Sequence, residues 1–494
     1  MTEQLADSNQ SVYALPDLRE PTQKESRILI AISVFFLVFH FIRTFGNNFW
    51  GDDAWTANMV QHSVSEIIER CQWDSHNPFY YLLVKGFCEV FGYNDWAYQF
   101  SSYVPYLIMM ILSLTLVRKW FGIQTSILMA VMLSAVPISV NYITEVRMYE
   151  WAMLFVSCMM LSAYAFCQRQ NLLNTALIVV FGLMAAYTHL YSLILAGMVV
   201  AAVIVIMVLK RKLVIVAVIC TILAAGAIPM LIKAQDVFGK VSEDFWIKRL
   251  PYLFETIGYS YGDVLMTIPA LLGFGFVVTV ILYELGKSTG RISKYMVEGE
   301  GRRLSQIGCL LIIVLVPLVT TVLFGYVVSW ATRPVFVLKY VYPALAGLWI
   351  LTGVCMTRFR PDSKALIKFL VLLLVFAIPI SGYNLGCEAV QCIDTADLLK
   401  ATGDLGEGDN IITDYSPFSE SVLEYYYPGA QVSLAEDGDF VDRMDPSKNN
   451  WLFIEGRLSD EQYQRFIEKG YGIETVKMDT HLAHYKVNVY RITS

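Results

Sequence analysis

The chain reads as a mostly α, polytopic membrane protein with about eleven transmembrane helices, roughly ten to thirteen, and a small C-terminal α/β domain. Three observations predict this. Of 494 residues, 56% are apolar and only 16% charged, against about 45–50% and about 25% in soluble domains. The mean hydropathy is +0.51. Apolar runs long enough to cross a bilayer recur from Arg27 to Leu385 before the composition turns polar. Such runs must be helical, because every backbone polar group has to be satisfied within the segment once water is gone. A formal charge of −6, with no Lys/Arg run longer than three residues, excludes a nucleic-acid binder, whose phosphate contacts demand a basic face.

Residues 1–26 are polar and are expected as a cytoplasmic tail. The run at 27–45 carries no small-residue cleavage pattern, so it is expected as a retained anchor. Further spans are predicted at 100–117, 123–143, 148–167, 172–187, 190–209, 213–233, 262–286, 305–328, 335–356 and 365–386. The stretch 172–209 is divided at Thr188-His189, since one helix of that length would overrun the bilayer. Basic residues alternate along the connections. Arg19, Lys24 and Arg27, then Arg118-Lys119, Arg169, Lys210-Arg211-Lys212, Lys287 through Arg303, and Arg358 through Lys364 fall on one side, which positive-inside bias assigns to the cytoplasm. The other side receives a long first loop at 46–99, shorter loops at 144–147, 188–189, 234–261 and 329–334, and everything from 388 to 494. Residues 27–387 are thus expected as the transmembrane domain and 388–494 as an extracytoplasmic α/β domain.

Within that last domain Asn410–Thr413 and Trp451–Ile454 read as strands and Leu458–Lys469 as a helix. Its Gly-rich segment Thr402–Asp409 lacks the strand-then-helix setting of a phosphate loop. Cys158, Cys167, Cys220, Cys309 and Cys355 lie in apolar runs and read as packing residues. Cys71 with Cys88, and Cys387 with Cys392, are pairs that an oxidising compartment could bridge.

The residues able to do chemistry collect on the outer side of this topology. Asp52 and Asp53 follow the first span. Two adjacent carboxylates near low dielectric repel one another, and both effects move a carboxylate toward the range useful to a general base. Asp74, His76, Tyr80 and Tyr81 surround Pro78, which suits the first turn of a helix and places an anion-attracting terminus beside them. Glu145, Arg147 and Tyr149, then His189, then Arg333 and Lys339 stand at outer helix ends. Taken singly, each is equally a side chain that snorkels into headgroups. Their common side is what unites them. Carboxylates with several cations at a bilayer surface suit a reaction in which a hydroxyl loses its proton while a lipid-linked phosphate departs.

The ordered set Gly-Asp52-Asp53-Ala-Trp, Asp74-x-His76-x-Pro78-x-Tyr80-Tyr81, Glu145-x-Arg147-Met-Tyr149, Tyr187-Thr-His189 and Lys339-Tyr-Val-Tyr-Pro343 resembles the dolichyl-phosphate-mannose protein mannosyltransferase-like group of GT-C membrane glycosyltransferases. The resemblance covers roughly residues 27–390. It implies a GT-C fold, a polyprenyl-phosphate sugar donor and transfer with inversion on the extracytoplasmic face. It also implies Asp52 as general base with Asp53 as its partner, and His76, Arg147, His189, Arg333 and Lys339 as contacts to the donor phosphate or sugar. Asp74, Tyr80, Tyr81, Glu145 and Tyr149 would support these or the acceptor. The chain departs from the family in having Asp-Asp where Asp-Glu is frequent, and His76-Asn77-Pro78 where His-Pro-Pro is.

The expected activity is therefore a hexosyl- or pentosyltransferase acting on a hydroxyl of a cell-envelope glycan, lipid or protein. The runner-up is a transporter or flippase of lipid-linked glycans, which would need polar groups at mid-membrane and access from both sides; a scaffold leaves the outward acids and bases without a purpose. This chemistry requires no cofactor, although the Asp-Asp and Asp-x-His groups are of a type that holds a divalent cation.

Overall fold

The structure is a computed structural model that describes residues 12–16, 18–46, 49–72, 76–210, 213–240, 261–287, 297–298, 303–332, 335–359, 363–414, 417–435 and 438–493. Helix α1 (Gln23–Arg43) opens on a capping box in which Thr22 and Glu25 each accept from the other's backbone N–H. Three helices fill the first loop: α2 (Gly51–Gln61), α3 (Val64–Arg70) and α4 (Pro78–Phe91). Helix α5 (Asp95–Leu112) starts earlier than predicted, because Asn94 caps it by accepting from Ala97 N–H at 3.0 Å. It runs on through a π-helical stretch to Phe121.

The span predicted at 123–143 is two helices, α6 (Ile123–Ala135) and α7 (Pro137–Tyr142). Pro137 supplies no N–H to the preceding turn and restarts the helix as its first residue. The remaining apolar helices are α8 (Tyr149–Gln168), α9 (Leu172–Thr188), α10 (Leu190–Leu209), α11 (Leu213–Lys240), α12 (Tyr261–Lys287), α13 (Gln306–Ala331), α14 (Leu345–Phe359) and α15 (Ser363–Thr402). A two-residue hairpin, β1 (Val297–Glu298) with β2 (Arg303–Leu304), precedes α13. A 3₁₀ stretch, Leu338–Ala344, leads into α14.

Among the described residues eight helices are long and apolar enough to cross a bilayer, and three shorter apolar helices accompany them. The chain is a multi-pass integral membrane protein. Helix α8 is its axis: 94% of its apolar window is inside, against 17% for the peripheral α1. Close helix approach depends on small residues. A methyl built on Gly353 of α14 would stand 2.7 Å from Thr125 Cα of α6.

Helix α15 is 40 residues long. It passes the expected span end near 386, and the boundary expected at 388 falls inside it. Beyond the apolar run the same helix turns Thr395 and Leu398 inward against the C-terminal sheet. It stops where Gly403 adopts φ +69° and donates to Leu399 O at 3.0 Å. The sheet comprises β3 (Asp409–Thr413), β4 (Gln431–Leu434), β5 (Asn449–Ile454), β6 (Gly472–Leu482) and β7 (Tyr485–Thr493) in the order β4-β3-β5-β7-β6. The β4-β3-β5 pairs are parallel and the β5-β7-β6 pairs antiparallel. Helices α16 (Pro417–Tyr426) and α17 (Asp460–Glu468) complete the domain, with α16 packed on α2 of the first loop. Among the described residues no disulfide forms. Cys387 and Cys392 lie five positions apart on α15, about 140° around the helix from one another.

Candidate functional site

Asp52 and Asp53 sit in the first turn of α2, where the helix dipole favours negative charge. The two carboxylates have different surroundings. Asp53 is buried; its Oδ1 accepts from Val146 N–H at 2.7 Å and its Oδ2 from Trp50 N–H at 3.4 Å. It is a strut between the start of α2 and the turn 143–148. Its pKa stands well above the ordinary carboxylate range because it is buried and because the Glu145 charge is close; the neighbouring Asp52 contributes least. Of the two expected causes, low dielectric and repulsion between adjacent carboxylates, burial dominates and repulsion by Asp52 is secondary. The Asp52 side chain retains 23% of its exposure and lies 3.5 Å from Arg147 Nε.

Arg147 leaves the same turn, between α7 and α8, and is itself buried. Its Nη2 donates to His76 Nε2 at 3.1 Å. His76 is held at the entry to α4, where Asn77 caps the helix by accepting from Phe79 N–H at 3.0 Å and Pro78 takes the first position. The asparagine that departs from the family pattern is therefore the cap. Tyr80 and Tyr81 follow, both buried. Burial keeps the Tyr80 phenol protonated, and it feels the charges of Arg147, Asp53 and Glu145.

His189 occupies the extended residue between α9 and α10, with Nδ1 accepting from Tyr191 N–H at 3.2 Å. Its ring faces Tyr340 at 5.1 Å and Tyr149 at 5.7 Å. Lys339 places its ammonium 5.7 Å from the centre of the Tyr149 ring, a cation–π distance. Asp52, Asp53, His76, Tyr80, Tyr81, Glu145, Arg147, Tyr149, His189 and Lys339 thus gather at one end of the bundle. Asp74 and Arg333 lie outside the described residues.

Sequence reasoning assigned no role to three members of this site, Tyr340 and Tyr342 within the Lys339–Pro343 motif and Glu150. Tyr340 faces the field of Lys339, Arg147 and Asp52. Buried Tyr342 donates its hydroxyl to the Glu150 carboxylate beneath Tyr149. A carboxylate inside an apolar run was the available signal, and Glu150 stood next to a residue already singled out.

Behind the charged cluster a cavity of about 550 Å³ runs between α9, α10 and α11. Its walls are mostly apolar, formed by residues such as Leu183, Ile194 and Leu223, while His76, His189 and Tyr340 line the polar part. Among the described residues no group of three or more His, Cys, Asp or Glu side chains is placed to hold a metal ion.

No protein-family model matches the chain, and no curated protein matches it. Solved structures do. ArnT from Cupriavidus metallidurans in the apo state aligns over 94% of this chain and 97% of its own, with a TM-score of 0.58 at 13% identity. The same protein bound to undecaprenyl phosphate aligns over the same shares, with a TM-score of 0.57 at 12% identity. The chain has the GT-C fold. Within that fold the polar cluster stands at the end of the bundle that also carries the C-terminal sheet, and the alignment extends over nearly the full length of both chains.

Proposed function

We propose that the protein is an integral-membrane glycosyltransferase that moves a sugar from a polyprenyl phosphate to a hydroxyl acceptor on the extracytoplasmic face, with inversion. One observation carries the reading. A partly exposed carboxylate, Asp52, stands beside Arg147, which is joined through His76 to the mouth of an apolar cavity. Such a cavity suits the hydrocarbon of a polyprenyl chain, and the cations at its mouth suit the phosphate. ArnT, whose fold is shared, has been solved with undecaprenyl phosphate bound.

In this scheme Asp52 takes the proton of the acceptor hydroxyl. The resulting oxygen forms a bond to the anomeric carbon from the face opposite the phosphate. The bond from that carbon to the phosphate oxygen breaks, and polyprenyl phosphate leaves with the electron pair. Arg147 and Lys339 neutralise charge growing on the leaving oxygen, the point at which fixed donors accelerate reaction most, and His76, accepting from Arg147, orients that guanidinium. Asp53, bonded to two backbone N–H groups, keeps α2 against the turn that bears Arg147. His189 and Tyr340 wall the space for the sugar ring.

The test uses the full chain in proteoliposomes with a panel of polyprenyl-phosphate hexoses and pentoses. Asp52→Asn keeps the shape and removes the base. Transfer should fall about 10²–10⁴-fold with the donor KM retained. Equal turnover by a folded Asp52→Asn enzyme rejects Asp52 as base. Label entering from the cytoplasmic face at a cysteine substituted for Trp55 rejects the sidedness.

A further inference from the structure

The helix that carries Asp52 is only 11 residues long, and the membrane bundle does not hold it alone. The first N–H groups of a helix have no partner inside it. Here the first of them, and one N–H just before the helix, are met by side chains from the far end of the chain. Gly51 N–H donates to the Tyr485 hydroxyl at 3.2 Å, and Phe49 N–H donates to the Tyr426 hydroxyl at 3.3 Å. Two turns on, Asn58 Nδ2 donates to the Ser421 carbonyl at 3.1 Å.

Apolar contacts follow the same face. Ala54 is fully buried in a cluster with Leu398 of α15, Val422 and Leu423 of α16, and Leu482 of β6. Phe49 stacks on Tyr425 at 5.0 Å, and the Tyr425 hydroxyl donates to Asp95 at the start of α5. Positions 51, 54 and 58 repeat at i, i+3 and i+7, one side of a helix. Asp52 lies about 160° around from Ala54, so it projects from the opposite side, toward Arg147.

We infer that the C-terminal domain is a positioning element of the transfer site, and that Tyr485 and Tyr426 are positioning residues that fix where Asp52 stands against Arg147. The inference rests on the glycosyl-transfer reading above for its effect on turnover. The hydroxyls reach the backbone and leave the reacting atoms alone, so they act through α2. Removing one frees the entry of the helix to slide or turn. A displacement near 1 Å at a catalytic group costs on the order of 10²-fold in rate. Of the donor contacts, Arg147 and Lys339 stand at the ends of bundle elements and His76 at the entry to α4, none of them on α2.

The experiment compares the full chain in nanodiscs with Tyr485→Phe, Tyr426→Phe and the double variant, each of which keeps its ring and its packing. Donor KM and kcat are measured, together with hydrogen exchange of the segment 49–61. Each single change should lower kcat about tenfold and the double about 10²-fold, with donor KM within about twofold. Exchange of the segment should quicken on the order of tenfold per hydroxyl removed. Arg457→Ala, which breaks an exposed ion pair with Asp479 inside the same domain, should change neither.

Unchanged exchange and kcat in the double variant overturn the inference, as does a loss of activity carried by KM. If the unmodified chain transfers no sugar from any donor, the functional reading fails instead, and the exchange comparison still decides whether the two hydroxyls hold α2.

Discussion

The carboxylates and the cations of the site arrive by different routes. The cations Arg147 and Lys339, with the uncharged ring of His189 between them in chain order, stand at breaks between apolar helices: the turn 143–148, the 3₁₀ stretch before α14, and for His189 the single extended residue between α9 and α10. Asp52 and Asp53 stand on a short helix outside the bundle, braced from above by residues more than 360 positions away. The cation half is set by where spans stop. The carboxylate half is set by a second domain closing on it. A membrane helix has little freedom once inserted, so charges at its ends are placed by its length. A loop helix has no such rule and needs partners.

Four substitutions test that division. The largest effect is expected for Arg147→Gln, which removes the cation shared by Asp52 and His76. Transfer should fall about 10²–10³-fold in kcat/KM, read on a panel of polyprenyl-phosphate donors. Tyr342→Phe should act through the bundle. It strips the donor from buried Glu150 and should cost about 1–3 kcal/mol of stability, seen as a lower Tm in detergent. Arg43→Met tests the link between the two halves. The guanidinium donates to Val140 O at 2.6 Å and Thr144 Oγ1 at 3.1 Å, and pairs with Glu388 of α15 at 2.8 Å. Its loss should cost about 1–2 kcal/mol, because hydrogen bonds to charged groups are worth somewhat more than neutral ones.

The smallest effect is a pH dependence. Asp53 has a raised pKa in the folded chain, so the folded state holds a proton that the unfolded state releases at about pH 4. Its contribution to stability is complete below that pH and is lost as pH rises toward the folded value. Asp53→Asn removes this term. Tm of the variant should decline less between about pH 4 and 8 than that of the parent. Parallel curves would show that Asp53 does not carry a proton in the fold.

The spans were legible because hydropathy is a direct statement about solvent. Even the division at Thr188-His189 emerges as a clean helix break. Pro78 and Pro137 likewise mark helix starts, though only the first was expected. The length of α15 was not legible. Past residue 386 its pattern changes from all-round apolar to one-sided, which reads as a new domain yet continues the same helix. The contacts of Gly51 with Tyr485 and of Phe49 with Tyr426 leave no local trace, since a backbone N–H looks the same in every sequence. For Asp53 the low-dielectric part of the expectation holds, whereas the neighbouring charge that weighs more is Glu145, which folding brings close, and not the adjacent Asp52.

The brace between Tyr485 and Gly51 spans 434 positions of chain, and this orders events during synthesis. Every membrane helix can be inserted while the last strand is still inside the ribosome. The cation cluster can then form early, but the seat of Asp52 waits for translation to finish. On the proposed glycosyl-transfer reading, a chain truncated before Tyr485 would keep the elements that bear Arg147 and Lys339 but lack this hold on the helix that bears Asp52.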